Sequence, residues 1–271
     1  MMKKHLITCS GMLVLLLVGK MLVFSTPVDP IEAIKFNRNH PTEEKNNTFS
    51  FANEDVPLGD KKVNGRMEQI LKAHTFGNLQ THILHHKAAK WFPVMEPILK
   101  LHGIPLDFKY IPLVESGLKS GTSHKGASGY WQFMPQTARD FGLRVDGDVD
   151  ERQMVTKSTI AACKYLKSLF AEFKNWTLVA AAYNGGEGSL RRQIERQKED
   201  NYFKMKLNAE TSAYVYKLIS MKEIIEKPTH YGYHDPISRL LAKNEAEKED
   251  YTHLKPAANF NTMMALQVLH N

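Results

Sequence analysis

The sequence predicts an all-α domain behind an apolar leader. Apolar residues recur at helical spacing in one segment after another, as at Tyr214, Leu218, Met221 and Ile225. No stretch alternates convincingly with period two. The composition is that of ordinary globular proteins, with 42% hydrophobic and 24% charged residues. A chain of 271 residues with this balance can bury a full core without staples. These values exclude a largely disordered, collagen-like or multi-span membrane protein.

The leader comes first. Lys3 and Lys4 precede an apolar run over 6–19, which resumes after Lys20 at Met21 and ends at Phe24. This pattern predicts a secretory signal cleaved after Ser25. The alternative is an uncleaved anchor, because residues 6–24 approach spanning length and Lys20 can snorkel. Either way the body is exported, to the periplasm or cell envelope. An anchor would add membrane association through residues 6–24. Cys9 precedes the apolar core, so a lipid-modified N-terminal cysteine is not expected. The charge of +7 falls to +4 without the three lysines of residues 1–25. That is too little to predict nucleic-acid binding, but it suits weak attraction to an anionic polymer.

Residues 26–65 hold Pro27, Pro30, Pro41 and Pro57 with little periodicity, the pattern of an extended arm. Within it, Phe49 to Phe51 could pack as an edge strand. Helical spacing begins at Met67 and continues through Ile70, Leu71, His74, Phe76, Leu79, Ile83 and Leu84. Trp91, Met95, Ile98 and Leu99 make the next stripe, ended by Gly103 and Pro105, with a kink or late start expected at Pro97. Asp107 is an N-cap candidate for a helix through Tyr110, Leu113 and Val114 to Glu115. Pro135 opens a short helix ending near Gly142. Further helices are predicted over 158–173, 176–183, 187–197 and 210–226. Cys163 falls on an apolar helical face and is read as a small buried residue. The all-α domain is thus 66–233. Residues 234–271 form a tail with a densely charged segment at 244–250 and an apolar one at 263–269.

Most chemical motifs are missing. His82, His85 and His86 are spaced so that two share a helical face, but no nearby Cys, Asp or Glu completes a zinc set. There is no nucleophile elbow and no phosphate-binding glycine loop. No metal and no cofactor is expected. Residues 111–142 differ. Glu115 ends a mostly apolar helix, where a carboxyl should hold its proton more tightly, as a general acid must. An exposed helix-end Glu is the alternative from those residues alone. Glycines, aromatics and one amide then crowd into residues 123–135, which suits a sugar bearing N-acetyl groups.

Four motifs in this order carry a resemblance: Glu115-Ser116; Ser123 with Gly126-Ala127-Ser128-Gly129-Tyr130-Trp131-Gln132-Phe133-Met134-Pro135; Ala182-Tyr183-Asn184-Gly185-Gly186-Glu187-Gly188; and Glu210-Thr211-Ser212-Ala213-Tyr214-Val215. Over about 160 residues the chain resembles the lytic transglycosylase domain of the soluble and membrane-bound-D type. That family shares a fold with goose-type lysozyme. Tyr130 departs from the family's usual Leu, and Met154 stands near a place where the family often has Asp.

The resemblance implies an all-α, lysozyme-like fold and a monomer acting on peptidoglycan glycan strands. It implies that Glu115 protonates the bond between N-acetylmuramic acid and N-acetylglucosamine. The same Glu then acts as base on the C6 hydroxyl, giving a 1,6-anhydro end. Ser123 would support the N-acetyl group or the muramic substituent. Gln132 and Asn184 would hydrogen-bond the substrate, and Met134 and Tyr183 would shape the cleft. Tyr214 would border Glu115, and Ser116 counts among the binding residues. A hydrolytic muramidase remains an alternative, with Asp140, Asp146, Asp148 and Asp150 as the nearby second carboxylates. A catalytically silent peptidoglycan-binding protein is the other alternative.

Overall fold

A computed structural model describes residues 48–78 and 82–251 of the chain. The leader, most of the arm and the apolar segment 263–269 lie outside the described residues. Among those described, no helix is long and apolar enough to cross a membrane.

The packed body begins before the helices do. Strand β1 (Ser50–Phe51) pairs antiparallel with β2 (Glu54–Asp55). Ala52 and Asn53 turn the hairpin at φ 53° and 64°, the geometry that matches strand twist in a two-residue loop. Phe51 is fully buried and meets the ring of Phe108 at 5.1 Å. Phe108 in turn meets Trp176 at 5.1 Å. Of the expected arm over 26–65, residues 48–60 join the body and residues 61–65 already belong to a helix. Phe49, Phe51 and Val56 are too few and too irregularly spaced to show a period. Only their long-range contacts bury them.

Helix α1 (Lys61–His74) starts six residues before Met67, capped by the Asp60 carboxylate on the N–H groups of Lys62 and Val63. Helix α2 (His82–Leu101) runs through both Pro93 and Pro97. The two prolines are one turn apart, and Pro93 is exposed. The carbonyls they leave without a partner thus sit on the outer side, where water can satisfy them. A helical turn at Leu106–Lys109 leads into α3 (Tyr110–Ser116). Asp107 lies inside that turn and does not cap α3. Its carboxylate instead accepts from the Ala52 N–H at 2.7 Å and from Lys222 at 2.9 Å.

Helix α4 (Pro135–Asp140) follows a glycine-rich loop, and a turn at Glu151–Gln153 precedes α5 (Val155–Phe173). Then come α6 (Trp176–Gly185), α7 (Glu187–Gln197), α8 (Ala209–Glu226) and α9 (Pro236–Tyr251). Asn175 caps α6 and Asn208 caps α8. Cys163 is buried in α5, and burial pushes its thiol up to about 12.

Helix α8 is the axis of the fold. It packs on α1, α3, α6 and α9. The spacing of Tyr214, Leu218, Met221 and Ile225 suggests one apolar face, yet Val215, Ile219, Ser220 and Ile224 on other faces are buried too. A helix covered on all sides is a core helix. Helix α9 gives the first part of the tail a fixed place against α2 and α8, with Ser238 and Leu241 buried.

Candidate active site

Glu115 stands at the C-terminal end of α3. Tyr110, Ile111, Pro112 and Leu113 bury the rest of the helix, so its last turn brings the one acid to the edge of the core. Gly117 ends the helix at φ 57°, with its N–H on the Leu113 carbonyl at 3.1 Å. Leu118 follows at φ 53° and is buried.

From α8 the Tyr214 hydroxyl donates to Glu115 Oε1 at 2.6 Å. Burial raises the proton affinity of Glu115 above the ordinary carboxylate value. The Tyr214 bond opposes that rise, Glu210 adds to it, and Lys217 opposes it. Glu210, Tyr214 and Lys217 are spaced i, i+4, i+7 on α8, so they form a single stripe along the side that meets Glu115. Burial and the neighbouring Glu115 charge hold the Tyr214 phenol well above its usual value.

The glycine-rich loop is tied to both neighbours of this pair. Ser116 Oγ lies 2.9 Å from the carbonyls of Pro112 and Tyr130, to which it can donate. It therefore pins the end of α3 to the loop. The Tyr183 hydroxyl donates to the Trp131 carbonyl at 2.7 Å. The Tyr183 ring packs among Trp131, Phe133 and Tyr165. Glu115 is among the charges that raise its phenol, after burial, so Tyr183 stands near the acid.

Gln132 sits in the loop at φ 49°. Its amide nitrogen donates to the carbonyls of Gly129 at 2.8 Å and Gly121 at 3.2 Å. Met134 is 47% exposed at the start of α4. Asn184 accepts from the Thr211 hydroxyl at 2.9 Å and donates to Glu210 at 3.3 Å, so it joins α6 to α8. Ser123 is exposed and closes a turn of its own, accepting from the Ala127 N–H at 3.1 Å. Thus Glu115 and Tyr214 are bonded directly, Asn184 is bonded to Glu210 on the helix that carries Tyr214, and Ser116 and Tyr183 are bonded to the loop that carries Gln132. Ser123 is bonded within that loop, and the Met134 side chain lies exposed at its end.

The remaining candidate residues take definite places. Gly129 approaches protein rather than ligand: a Cβ there would lie 1.7 Å from the Arg152 carbonyl oxygen, and φ is +80°. Tyr130 places its ring on Trp91 of α2 at 5.1 Å. Among the candidate second carboxylates, Asp146 is bonded to Arg144, Asp150 to Arg152, and Asp140 to Gln136. The carboxylate that Glu115 feels is Glu210. The histidines diverge: His85 is buried with Nε2 3.1 Å from the Ile224 carbonyl, while His86 is exposed toward Asp235. No three metal-ligating side chains come together among the described residues.

Sequence reasoning passed over Arg152. It is buried and donates to the carbonyls of Gly126 and Phe133, each at 2.8 Å, and to both oxygens of Asp150. An Arg amid other charged residues gives no signal. The crowded loop upstream, which needs a donor from outside, was the only available hint.

The Transglycosylase SLT domain family matches residues 101–206. The chain is 28% identical over 204 residues to membrane-bound lytic murein transglycosylase D of Escherichia coli (strain K12). That alignment covers 72% of the chain and 45% of the relative, so the chain spans about half that relative's length. It is 33% identical over 156 residues to a protein of Alteromonas sp. (strain M-1) named for tributyltin chloride resistance, covering 55% of the chain and 75% of the relative. A solved structure of an inactive variant of the lytic transglycosylase Slt from Pseudomonas aeruginosa aligns with 54% of the chain and 25% of its own, at 22% identity and TM-score 0.39. The matched domain contains Glu115, Gln132 and Asn184, and α8 supplies Tyr214 just beyond it; the chain belongs to the lytic transglycosylase family.

Proposed function

We propose that this chain is an enzyme that cleaves the glycan strands of peptidoglycan without water, at the bond between N-acetylmuramic acid and N-acetylglucosamine. The observation that carries the reading is the Glu115–Tyr214 pair: a carboxyl whose proton affinity burial raises, oriented by one short bond, at the edge of the core. Glu115 gives its proton to the glycosidic oxygen, and the bond to the anomeric carbon breaks. The resulting carboxylate takes the proton of the muramic C6 hydroxyl as that oxygen attacks the same carbon. A 1,6-anhydro ring forms and the acid is restored, as the reciprocal use of one group in both directions requires.

An internal nucleophile removes the need for the second carboxylate of ordinary glycosidases, held about 5–5.5 Å or 6.5–9.5 Å from the acid. Glu210 fits an electrostatic part, since its charge helps keep Glu115 protonated. Gln132 and Asn184 serve the substrate's acetamido groups, Met134 offers an apolar contact on the exposed rim, and Ser123 borders the muramic substituent. Ser116 and Tyr183 work by fixing the loop. The relative named as membrane-bound supports an envelope location, and N-terminal sequencing of the protein from cells separates a cleaved signal from an anchor.

Digestion of purified peptidoglycan with mass analysis of the ends tests the activity. Anhydro ends are expected, reducing ends would mean hydrolysis, and no cleavage would mean a binding protein. Glu115→Gln keeps shape but cannot move a proton, so turnover should fall at least about 10²–10⁴-fold with the fold intact.

A further inference from the structure

We infer that Arg152 is a positioning residue, tying together both ends of the 126–133 loop and so holding the Gln132 amide in its ligand-facing posture. The inference deepens the transglycosylase reading and rests on it for the substrate that Gln132 would meet.

The loop is under tension at one point. Gln132 carries a side chain in the left-handed region, a conformation that persists only when its surroundings impose it. Ser128 and Phe133 exchange backbone bonds of 3.0 and 3.1 Å across the base of that turn. One Arg152 nitrogen, Nη1, then donates to Gly126 and Phe133, one on each flank. The other edge of the guanidinium takes both oxygens of Asp150, at 2.8 Å each. The Arg152 carbonyl occupies the space beside Gly129, and Gln153 next to it donates to Ser128 Oγ at 2.9 Å. The segment 150–153 is therefore bonded to the loop at Gly126, Ser128 and Phe133 and packed against it at Gly129.

The consequence reaches the Gln132 side chain. Both groups near its amide nitrogen are carbonyl oxygens, of Gly129 and Gly121, so nitrogen must be the end that faces them. The amide oxygen is then the end offered to a ligand, and it suits the N–H of an acetamido group. If the flanks drift, the Gly129 and Gly121 carbonyls drift with them and this orientation is lost. A lysine cannot replace the arginine, because a single ammonium has no planar fork to span two carbonyls and a carboxylate together.

A double-mutant cycle on the full chain separates positioning from general structure. Activity on peptidoglycan is measured at a temperature where circular dichroism shows every variant folded. Arg152→Lys should lower kcat/KM by about 10–100-fold, the usual effect of a misplaced binding group. In a Gln132→Ala background the same change should cost less than about threefold. Equal losses in both backgrounds would overturn the proposal, as would no loss in either. Asp150→Asn, which loosens the guanidinium from its outer edge, is the second variant if Arg152→Lys does not fold, with the same pattern expected. A readout independent of activity is the side-chain amide signal of Gln132 in a nitrogen–proton correlation spectrum. Its two protons should exchange slowly in the unaltered protein and fast in Arg152→Lys; unchanged exchange would also refute the role. If the unaltered protein cleaves nothing, the transglycosylase reading fails, and the spectrum still decides the positioning.

Discussion

A buried acid and a phenol 2.6 Å apart pull against each other in a useful way. Burial favours the protonated carboxyl, and the phenol favours the carboxylate. That balance suits the proposed mechanism, in which one group gives a proton and then stands as an anion. Tyr214→Phe removes the opposing pull, so the proton affinity of Glu115 rises. The high-pH limb of kcat/KM, where the acid loses its proton, should move to higher pH; a limb that stays or moves down would contradict the assignment. Asn184 has a structural part beside the proposed one. The family resemblance implies a substrate contact, whereas the structure commits its amide to Thr211 and Glu210. Asn184→Ala should therefore lower stability by about 1 kcal/mol as well as turnover, read from the urea midpoint beside the activity.

The site is assembled by elements that meet at close quarters. Helix α3 supplies the acid, α8 the phenol, α6 the ring of Tyr183, and the loop between α3 and α4 the amide. Gly185 lets α6 approach α8, since a Cβ there would meet the Thr211 hydroxyl at 2.7 Å. Gly129 allows the tighter contact. Gly129→Ala would drive a methyl group into the Arg152 carbonyl and strain a positive φ together. It should cost at least about 3 kcal/mol, visible as a large drop in melting temperature before any effect on chemistry is considered. An alanine variant of normal stability would mean the loop and the 150–153 turn are not packed as described.

Across the molecule, charges buried behind the site make stability depend on pH. Glu226, near the end of α8, accepts from Tyr110 at 2.8 Å. Burial raises its pKa to about 7, against the pull of Lys222, Lys109 and the Tyr110 hydroxyl, with Asp107 adding to the rise. The folded chain thus holds a proton that the unfolded chain releases near its ordinary value of 4.5. This contribution is full below pH 4.5 and is lost as pH climbs through about 7, up to roughly 3 kcal/mol. Glu226→Gln should flatten that fall. The difference in urea midpoint between variant and unaltered protein at pH 5 and pH 8 checks it; equal differences at both would exclude Glu226 as the cause.

What the sequence determined by itself was periodicity and chemistry along the chain. The helices over 187–197 and 210–226 were legible because apolar spacing and caps are local. Glu115 at the end of an apolar helix left an exposed carboxylate open as a reading; four motifs keeping their order made both the family and the candidate acid legible. What only the tertiary structure decided were matters of contact between distant residues. Phe51 is core because Phe108 and Trp176 lie over it, and no local pattern records that. Pro93 and Pro97 stay within α2 because their face is outward, which only packing defines. Ser116, Tyr183 and Arg152 act on backbone carbonyls, and a carbonyl has no letter in a sequence. For that reason the candidate site residues were visible beforehand, Ser116 and Tyr183 among them, and the carbonyl contacts that they and Arg152 make were not.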